Sequence, residues 1–339
     1  MYKKFVTILL CLGFIVSGTI HSQEKLAQTG FQFLSVGVDA RATAMGESFV
    51  TLENTSASLF YNPAGIARLS KTFDARINHH TYIADIQYIS GSIAVRPFDG
   101  RYGSVGVSYL VLDYGDIIGT QYADTELGYI ETGLITPSSS VIGLGYGFEL
   151  SEAFTIGANI KYAYQSLGTS IVPSTLDPDV PVDEIERLEE DYSKGVLVFD
   201  FGTRFATGYR SLVFGMSVTN FSQEIKYERE SFQLPLTFRF GIAMNLFDFL
   251  PHITNSHQFL FTVDALHPRS APEHVRFGGE YVFMDAIALR AGYSTQTVND
   301  ASGFAFGFGI KQYGIGIDYS YTPFDVFDDI QRFSIHLEF

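Results

Sequence analysis

The chain of 339 residues has a formal net charge of −15, and only 17% of its residues are charged, against about a quarter in a typical globular protein. Its acidic balance, with no run of Lys or Arg beyond the first few residues, excludes a nucleic-acid-binding surface. Aromatic residues make up 15% of the chain and Gly contributes 32 residues, a composition that favours strands and tight turns over helices.

The first segment, residues 1–22, has the pattern of a secretory signal peptide. Lys3 and Lys4 precede an apolar run over residues 5–16, which is too short to span a bilayer as a helix. We expect cleavage within a few residues of the end of this segment. Cys11, the single cysteine, lies inside it, so the mature protein is expected to have no disulfide, thiolate ligand or cysteine nucleophile.

A second segment, residues 23–72, is predicted to form a small N-terminal unit that is partly helical and partly irregular. The stretch over residues 39–50 is rich in small residues, which permit close packing against a neighbouring wall. Further along, Asn62 followed by Pro63 is a favourable helix start, because Asn caps free amide groups and Pro suits the first helical position.

The remaining residues, 73–339, alternate between apolar and polar side chains with the period of two that is typical of strands. Many of these runs are about ten residues long, the length that a tilted strand needs to cross a membrane. The pattern predicts about fourteen strands, at residues 73–81, 87–97, 102–113, 139–150, 153–166, 194–206, 211–221, 232–246, 257–266, 274–284, 286–295, 302–312, 314–322 and 330–339.

The connections between these strands alternate between short and long. Short turns such as residues 151–152 interleave with long polar loops such as residues 114–138 and 167–193. After the signal segment no window of about 18 apolar residues appears, which excludes a helical membrane protein. The sequence therefore predicts an all-β fold, a 14-stranded antiparallel transmembrane barrel in the outer membrane, in contact with outer-membrane lipid.

The polar face of the predicted strands carries charges of both signs. Each charge would cost about 2–4 kcal/mol if it faced lipid near the bilayer midplane, so these residues are predicted to line the lumen and pair there. The predicted inward charges are Lys161, Asp200, Arg204, Arg239, Asp264, Arg276, Glu280, Arg290, Asp318, Arg332, His336 and Glu338. Many other inward positions are Gly or Ala, which leaves room for something that fills the interior.

Two motifs in the second segment carry a family resemblance. ARATAMGESFV, followed after about ten residues by LFYNPAGIARL, resembles the N-terminal plug region of the FadL-like fatty-acid-transporter superfamily, most closely its PorV/PorQ branch. The resemblance implies a fourteen-stranded barrel, here residues 73–339, plugged by an N-terminal hatch, here residues 23–72. The positions that match the hatch motifs are Arg41, Met45, Gly46, Asn62, Pro63, Ala64 and Gly65. A purely structural role in folding the hatch is the alternative for these residues.

No catalytic machinery is evident in the sequence, and we expect the protein not to be an enzyme. His79 and His80 are adjacent on a predicted strand and point to opposite faces, so they cannot chelate one metal ion. Ser334 and His336 share a face, yet residues two apart on a strand lie too far apart for a direct Ser–His bond. We expect no catalytic residues, no cofactor and no metal site.

The predicted loop over residues 167–193 is strongly acidic. It is a candidate partner surface or calcium site, although it lacks the spacing of a calcium-binding loop, and a solvated, self-repelling loop is the simpler interpretation. The acidic residues proposed for partner contact are Asp177, Asp179, Asp183, Glu184, Glu189 and Glu190.

Two functions are compatible with these observations. The PorV/PorQ resemblance implies a shuttle or interaction component of type IX secretion, which binds the C-terminal signal domain of a cargo or a translocon protein. The FadL resemblance implies a transporter of hydrophobic molecules such as long-chain fatty acids. The charged, Gly-rich inward face favours the first function. For the second, the candidate contacts with a lipid-like ligand or detergent are Phe31, Phe33, Leu34 and Phe60.

Overall fold

The structure is a computed structural model that describes residues 29–122, 126–173, 187–227, 231–250, 256–296, 303–324 and 327–339. The predicted signal peptide, residues 1–22, lies outside the described residues. In chain order the strands are β1 Phe73–Thr81, β2 Gln87–Val95, β3 Ser104–Asp113, β4 Ile117–Tyr122, β5 Tyr129–Ile135, β6 Ser138–Ser151, β7 Phe154–Pro173, β8 Arg187–Ala206, β9 Val213–Ser222, β10 Ile225–Lys226, β11 Ser231–Phe232, β12 Thr237–Asn245, β13 His257–Pro268, β14 His274–Phe283, β15 Ile287–Ser294, β16 Phe304–Gln312, β17 Ile315–Thr322 and β18 Ile330–Glu338.

Fourteen of these strands form one closed antiparallel barrel, which confirms the predicted fold class. Each strand pairs with its neighbour in the chain among β1–β3, β6–β9 and β12–β18, and β18 closes the ring by pairing with β1. In that closing pair Arg76 lies opposite His336 and Ile77 opposite Ile335, so polar residues share one face and apolar residues the other. A closed barrel leaves no free strand edge inside the membrane.

The alternation places apolar side chains on the outside of the barrel and polar side chains on the inside. On β18, Phe333 and Ile335 are exposed on the outer face, whereas Arg332, Ser334 and His336 are buried on the inner face. The same exposure of large apolar side chains recurs on strands all around the ring. Such a surface is unfavourable in water and suits the hydrocarbon core of a bilayer. No helix among the described residues is long and apolar enough to cross a membrane.

The observed strands agree closely with the predicted ones, with three differences. The predicted loop over residues 114–138 contains a separate hairpin, β4 with β5, outside the barrel sheet. Strands β7 and β8 continue to Pro173 and from Arg187, so the acidic segment after residue 167 is in part a strand extension. The strand predicted from residue 232 enters the barrel only at Thr237, because Pro235 has no amide group to donate to a ladder.

The hatch, described here over residues 29–72, runs through the inside of the barrel. It contains the short helix α1, Ala40–Ala44, and the 3-10 helices Gln32–Ser35, Ser56–Phe60 and Pro63–Ile66. Its first described residue, Thr29, forms a β-bridge with Gln233 in the connection between β9 and β12. Its end leads into β1, whose first residue pairs with the C-terminal residue of the chain. We call the end of the barrel with the longer connections, including that bridge, the outer end.

The barrel wall has a series of glycines where the hatch presses against it. A Cβ atom at Gly157 would overlap the backbone of Pro63 and Ala64, and one at Gly292 would overlap the backbone of Gly46. Equivalent close approaches to the hatch occur at Gly147, Gly202, Gly215, Gly278 and Gly307. The space that the sequence leaves at inward Gly positions is therefore occupied by the hatch, which fits against both halves of the wall.

Candidate functional site

A network of buried ion pairs joins α1 of the hatch to strands β14, β15, β17 and β1. Arg41 on α1 donates two hydrogen bonds to Glu280, at 2.8 and 2.6 Å. Glu280 also accepts from Arg290, whose Nη1 atom lies 2.7 Å from Asp318 Oδ1. Arg76 completes the network, since its Nη1 atom lies 3.4 Å from Asp318 Oδ2 and 3.3 Å from Asp39 Oδ2 on the hatch. Three guanidinium groups and three carboxylates thus compensate one another in the lumen.

Other predicted inward charges bond in the same way to the hatch or to each other. Lys161 lies 2.8 Å from Asp200, and Arg204 lies 2.6 Å from Glu53 of the hatch. Asp264 accepts the backbone amides of Phe49 and Val50 at 2.8 and 3.0 Å. The charged part of the lumen is therefore largely committed to holding the hatch in place.

The second hatch motif, residues 62–65, docks the hatch against β7 and β8. Asn62 caps the following 3-10 helix by accepting the amide of Ala64. The same side chain donates to the carbonyls of Val50 and Thr203, at 2.6 and 3.1 Å. Pro63, Ala64 and Gly65 are buried in this contact. The structure gives all four residues a packing environment within the hatch and the wall, remote from any open space.

The first hatch motif lies on the opposite side of the lumen. Met45 is fully buried against Gly278, and Gly46 contacts the backbone of β15 at Gly292. Arg41 belongs to the ion-pair network described above. The seven motif residues therefore contact the barrel wall at two separate places inside the lumen and do not form one site.

The outer half of the lumen has an apolar wall, which corrects the expectation that the inward face is charged throughout. On β2, β3 and β6–β8 the inward residues near the outer end form one buried cluster with the first residues of the hatch: Phe31, Phe33, Val38, Tyr88, Leu110, Leu112, Val141, Ala163, Val196 and Val198. Residues 109–112, Tyr-Leu-Val-Leu, are apolar on both faces of β3, and this run was the available signal in the sequence.

A cavity of about 950 Å³ lies between the first part of the hatch and the outer connections. Its apolar lining includes Phe31, Phe33, Val36, Ile86, Tyr88, Leu266, Ala305 and Ile330. Its size falls in the range of pockets for small organic molecules. The lining joins the apolar wall of β2 to the opposite side of the barrel, so a hydrophobic molecule in the cavity would contact apolar groups on both sides.

The charged part of the cavity lining is formed by a hatch carboxylate and the guanidinium groups of three strands. Glu47 forms an ion pair with Arg276 at 2.7 Å, and Arg239 and Arg332 line the same cavity. Burial favours a higher pKa for Glu47, but the three neighbouring guanidinium groups outweigh it and hold the pKa of Glu47 below its usual range. Glu47 is thus an ionised carboxylate at the cavity, a role that its sequence context alone did not suggest.

The four candidate ligand contacts lie in this part of the molecule. Phe31 and Phe33 line the cavity and stack on one another, with ring centroids 5.7 Å apart. Leu34 and Phe60 line a smaller pocket of about 40 Å³ between the hatch and the wall of β3, β6 and β7. All four pack on or within the apolar cluster. The structure therefore brings the predicted contacts together, and two of them face the larger cavity.

The acidic residues proposed for partner contact divide into two groups. Asp177, Asp179, Asp183 and Glu184 lie outside the described residues. Glu189 and Glu190 are exposed on the extension of β8, where Glu190 accepts a hydrogen bond from Tyr192 at 2.8 Å. Neither residue contacts the cavity.

The histidines form no catalytic constellation in the described part of the chain. His79 is exposed on the outer face and His80 is buried on the inner face, as the alternation predicts. His336 Nδ1 lies 3.2 Å from Asp318 across the sheet, and so belongs to the ion-pair network. Over the described residues, no group of three or more His, Cys, Asp or Glu side chains is arranged to hold a metal ion.

The fold is similar to solved structures of FadL-like outer-membrane barrels. The toluene transporter TbuX of Ralstonia pickettii gives a TM-score of 0.60 at 11% identity, covering 89% of this chain and 98% of that chain. The toluene transporter TodX of Pseudomonas putida gives 0.56 at 13% identity, covering 93% and 98%. A FadL homologue of Pseudomonas aeruginosa gives 0.51 at 10% identity, covering 88% and 97%. Likeness at these identities shows the fold.

No family model and no curated protein matches the sequence. The apolar outer face and the FadL-like barrel place the protein in the outer membrane. The narrower resemblance to the PorV/PorQ branch, and the type IX secretion role that it implies, have no support among the structural neighbours and stay predictions.

Proposed function

We propose that the protein transports hydrophobic small molecules across the outer membrane, receiving them in the cavity above the hatch. The observation that carries this proposal is the cavity of about 950 Å³ with its apolar lining, continuous with the buried apolar wall of β2, β3 and β6–β8. The interior of an open porin channel, by contrast, is polar and water-filled.

Solved structures with the same fold also support the transport of hydrophobic molecules as the proposed function. Two of them are described as toluene transporters, which are carriers of a small apolar solute. The proposal extends this activity from those proteins to the present chain on the basis of the apolar cavity. In the sequence, the charged inward residues favour the secretion role. In the structure most of those charges hold the hatch, so they no longer favour that role over transport.

The hatch lies across the lumen between the two sides of the barrel wall. It contacts glycines on both sides and carries ion pairs to several strands. A molecule that moves from the cavity along the barrel axis therefore meets the hatch. This arrangement favours a transporter with a defined binding step over an open diffusion pore.

The test is to fill the cavity. Ala305 is buried on the inner face of β16 and lines the cavity, whereas Ala291 on the neighbouring strand β15 faces outward and is exposed. Because toluene crosses a phospholipid bilayer without a protein, uptake is measured in intact Gram-negative cells that express the barrel, where the lipopolysaccharide leaflet slows that route. We expect Ala305→Phe to lower the initial rate of uptake of radiolabelled toluene by at least about tenfold. The matched control Ala291→Phe should leave the rate unchanged. Equal rates in cells with the wild type, either variant or no barrel would contradict the proposal.

The secretion role has no specific observation in its favour among the described residues. Four of its six proposed partner residues lie outside them, and Glu189 and Glu190 show only local contacts. Deletion of residues 173–190 is its direct test, since a shuttle for secreted cargo would lose surface delivery while the barrel stayed folded.

A further inference from the structure

The cavity has an excess of positive charge in one part of its lining. The charged side chains that line it in the described chain are Arg239, Arg276 and Arg332, from β12, β14 and β18, and the single carboxylate Glu47. Three guanidinium groups against one carboxylate leave two positive charges without a compensating carboxylate in the described lining. Elsewhere in the lumen, the guanidinium groups of Arg41 and Arg290 each bond to carboxylates.

Several donors in this group have no partner. Arg239 Nε and Nη1 and Arg276 Nε are buried and lack a hydrogen-bond acceptor in the described part of the molecule. His274 lines the same cavity but donates through Nδ1 to the carbonyl of Pro272 at 3.1 Å, so it does not add to these donors. Buried donors in native proteins are nearly always bonded, so the three arginine atoms indicate an acceptor that the described part of the protein does not supply.

Asp264, a carboxylate outside the cavity lining, forms no hydrogen bond with Arg239 in the described part of the molecule. Its Oδ2 atom accepts the amides of Phe49 and Val50, and its buried Oδ1 atom has no partner among the described residues. Arg239 instead lies over the ring of Tyr61, with its guanidinium carbon 5.8 Å from the ring centroid. Arg332 is held by the carbonyl of Gly37 and by Thr322, at 3.1 and 3.3 Å, and it forms no ion pair with any residue that the structure describes.

We infer that Arg239, Arg276 and Arg332 bind the phosphate-type headgroup of a single-chain amphiphile whose hydrocarbon part lies on the apolar cavity wall. A phosphate monoester carries a charge of about −1.5 to −2 near neutral pH, which matches the two unpaired positive charges. Guanidinium groups present paired donors that suit its oxygens. This inference rests on the proposed function, because the apolar wall is assigned there to the hydrophobic part of the ligand.

Glu47 competes with such a headgroup for Arg276. The carboxylate already bonds to Arg276 Nη1 at 2.7 Å, and an incoming phosphate would share the same guanidinium group. Replacing Glu47 by Gln removes the one negative charge of the lining and frees Arg276. The site therefore predicts opposite effects for two neutralising substitutions, since Arg239→Gln removes a donor while Glu47→Gln removes a competitor.

The experiment measures the binding of monododecyl phosphate to the full chain in non-ionic detergent by isothermal titration calorimetry. We expect Arg239→Gln to weaken binding at least about tenfold, which is the usual range for loss of a charged hydrogen bond. Glu47→Gln should strengthen binding several-fold. Arg101→Gln, the same change at an exposed turn residue, should have no effect. Dodecanoate should bind more weakly than the phosphate, and dodecanol should bind without dependence on Arg239.

Heat-modifiable migration on gels checks that each variant is folded, and Arg239→Lys gives a second test if the Gln variant does not fold. Arg239→Lys keeps the charge but loses the planar pair of donors, so binding should weaken less than in Arg239→Gln. The inference would be overturned if Arg239→Gln, Arg239→Lys and Glu47→Gln all left the binding of monododecyl phosphate unchanged. Equal affinity of the wild type for dodecanoate and for monododecyl phosphate would also overturn it. In either case, toluene uptake that still depends on Ala305 would leave the proposed function standing. If toluene uptake is absent while the binding of monododecyl phosphate still depends on Arg239, the proposed function is wrong and the headgroup site stands.

Discussion

Two parts of the hatch differ in how they meet the barrel. The lower part, residues 39–67, is buried almost throughout, touches wall glycines and carries ion pairs through Arg41 and Glu53. The upper part, residues 29–38, packs through Phe31 and Phe33 on the apolar wall and borders the cavity. The difference shows that one chain segment provides both a tightly packed plug and an apolar surface beside the cavity. The fixed part sets the position of the surface at which we propose that ligand is received.

The largest effect is expected where the lower part touches a wall glycine. Gly292→Ala places a methyl group on the backbone of Gly46, and the backbone of Gly292 is held by its pairing with β14 and β16, so the hatch would have to move. We expect a loss of several kcal/mol, or failure to form the heat-modifiable folded species on gels. Gly279→Ala is the matched control, because a Cβ atom there would lie at an ordinary 3.6 Å from Phe259. Equal stability of the two variants would show that the hatch does not press on the wall.

The next effect concerns the ion pairs that hold the lower part. Asp318 lies at the centre of the network, so Asp318→Asn leaves Arg290 and Arg76 partly uncompensated in a buried site. We expect unfolding in urea to become easier by about 3–5 kcal/mol, the usual consequence of breaking a buried pair. Asp285→Asn, at an exposed turn beside Lys311, should change stability by less than about 1 kcal/mol. A result for Asp318→Asn as small as that of the turn variant would mean that the network does not anchor the hatch.

The smallest expected effect is on the stability of variants at Phe31 and Phe33, which differ in backbone conformation. Phe31 has a φ of 55°, in the left-handed region that Gly adopts without strain. Phe31→Gly should therefore be as stable as Phe31→Ala or more stable, by about 1 kcal/mol. Phe33 is absent from the residues with positive φ, and there the order should reverse, with Gly less stable than Ala. The same order at both positions, from urea titrations, would argue against strain at Phe31.

Much of this architecture is readable from the sequence, because a period of two fixes which residues face lipid. The alternation over Phe333 to Phe339 and its counterparts located the fourteen barrel strands within a few residues. Inward charges followed from the high cost of placing Arg290 or Asp318 in lipid. Room for a hatch followed from Gly at inward positions such as Gly307.

The remaining features depend on which strands are neighbours, and sequence pattern alone does not fix that for distant segments. The cavity lining combines Glu47 of the hatch with Arg239, Arg276 and Arg332 from three strands. These residues are far apart in the chain and meet only through barrel closure. The sequence predicts a loop where β4 and β5 form a hairpin, because these strands lie outside the barrel sheet and lack the length of a membrane-crossing strand.

We propose that the cavity above the hatch receives a hydrophobic molecule. Crystals of the protein grown with 12-bromododecanol would locate the bromine directly by anomalous scattering. We expect a bromine peak inside the barrel, between Phe33 of the hatch and the apolar wall at Tyr88. Bromine peaks confined to the outer, lipid-facing surface of the barrel, with none in the cavity, would contradict it.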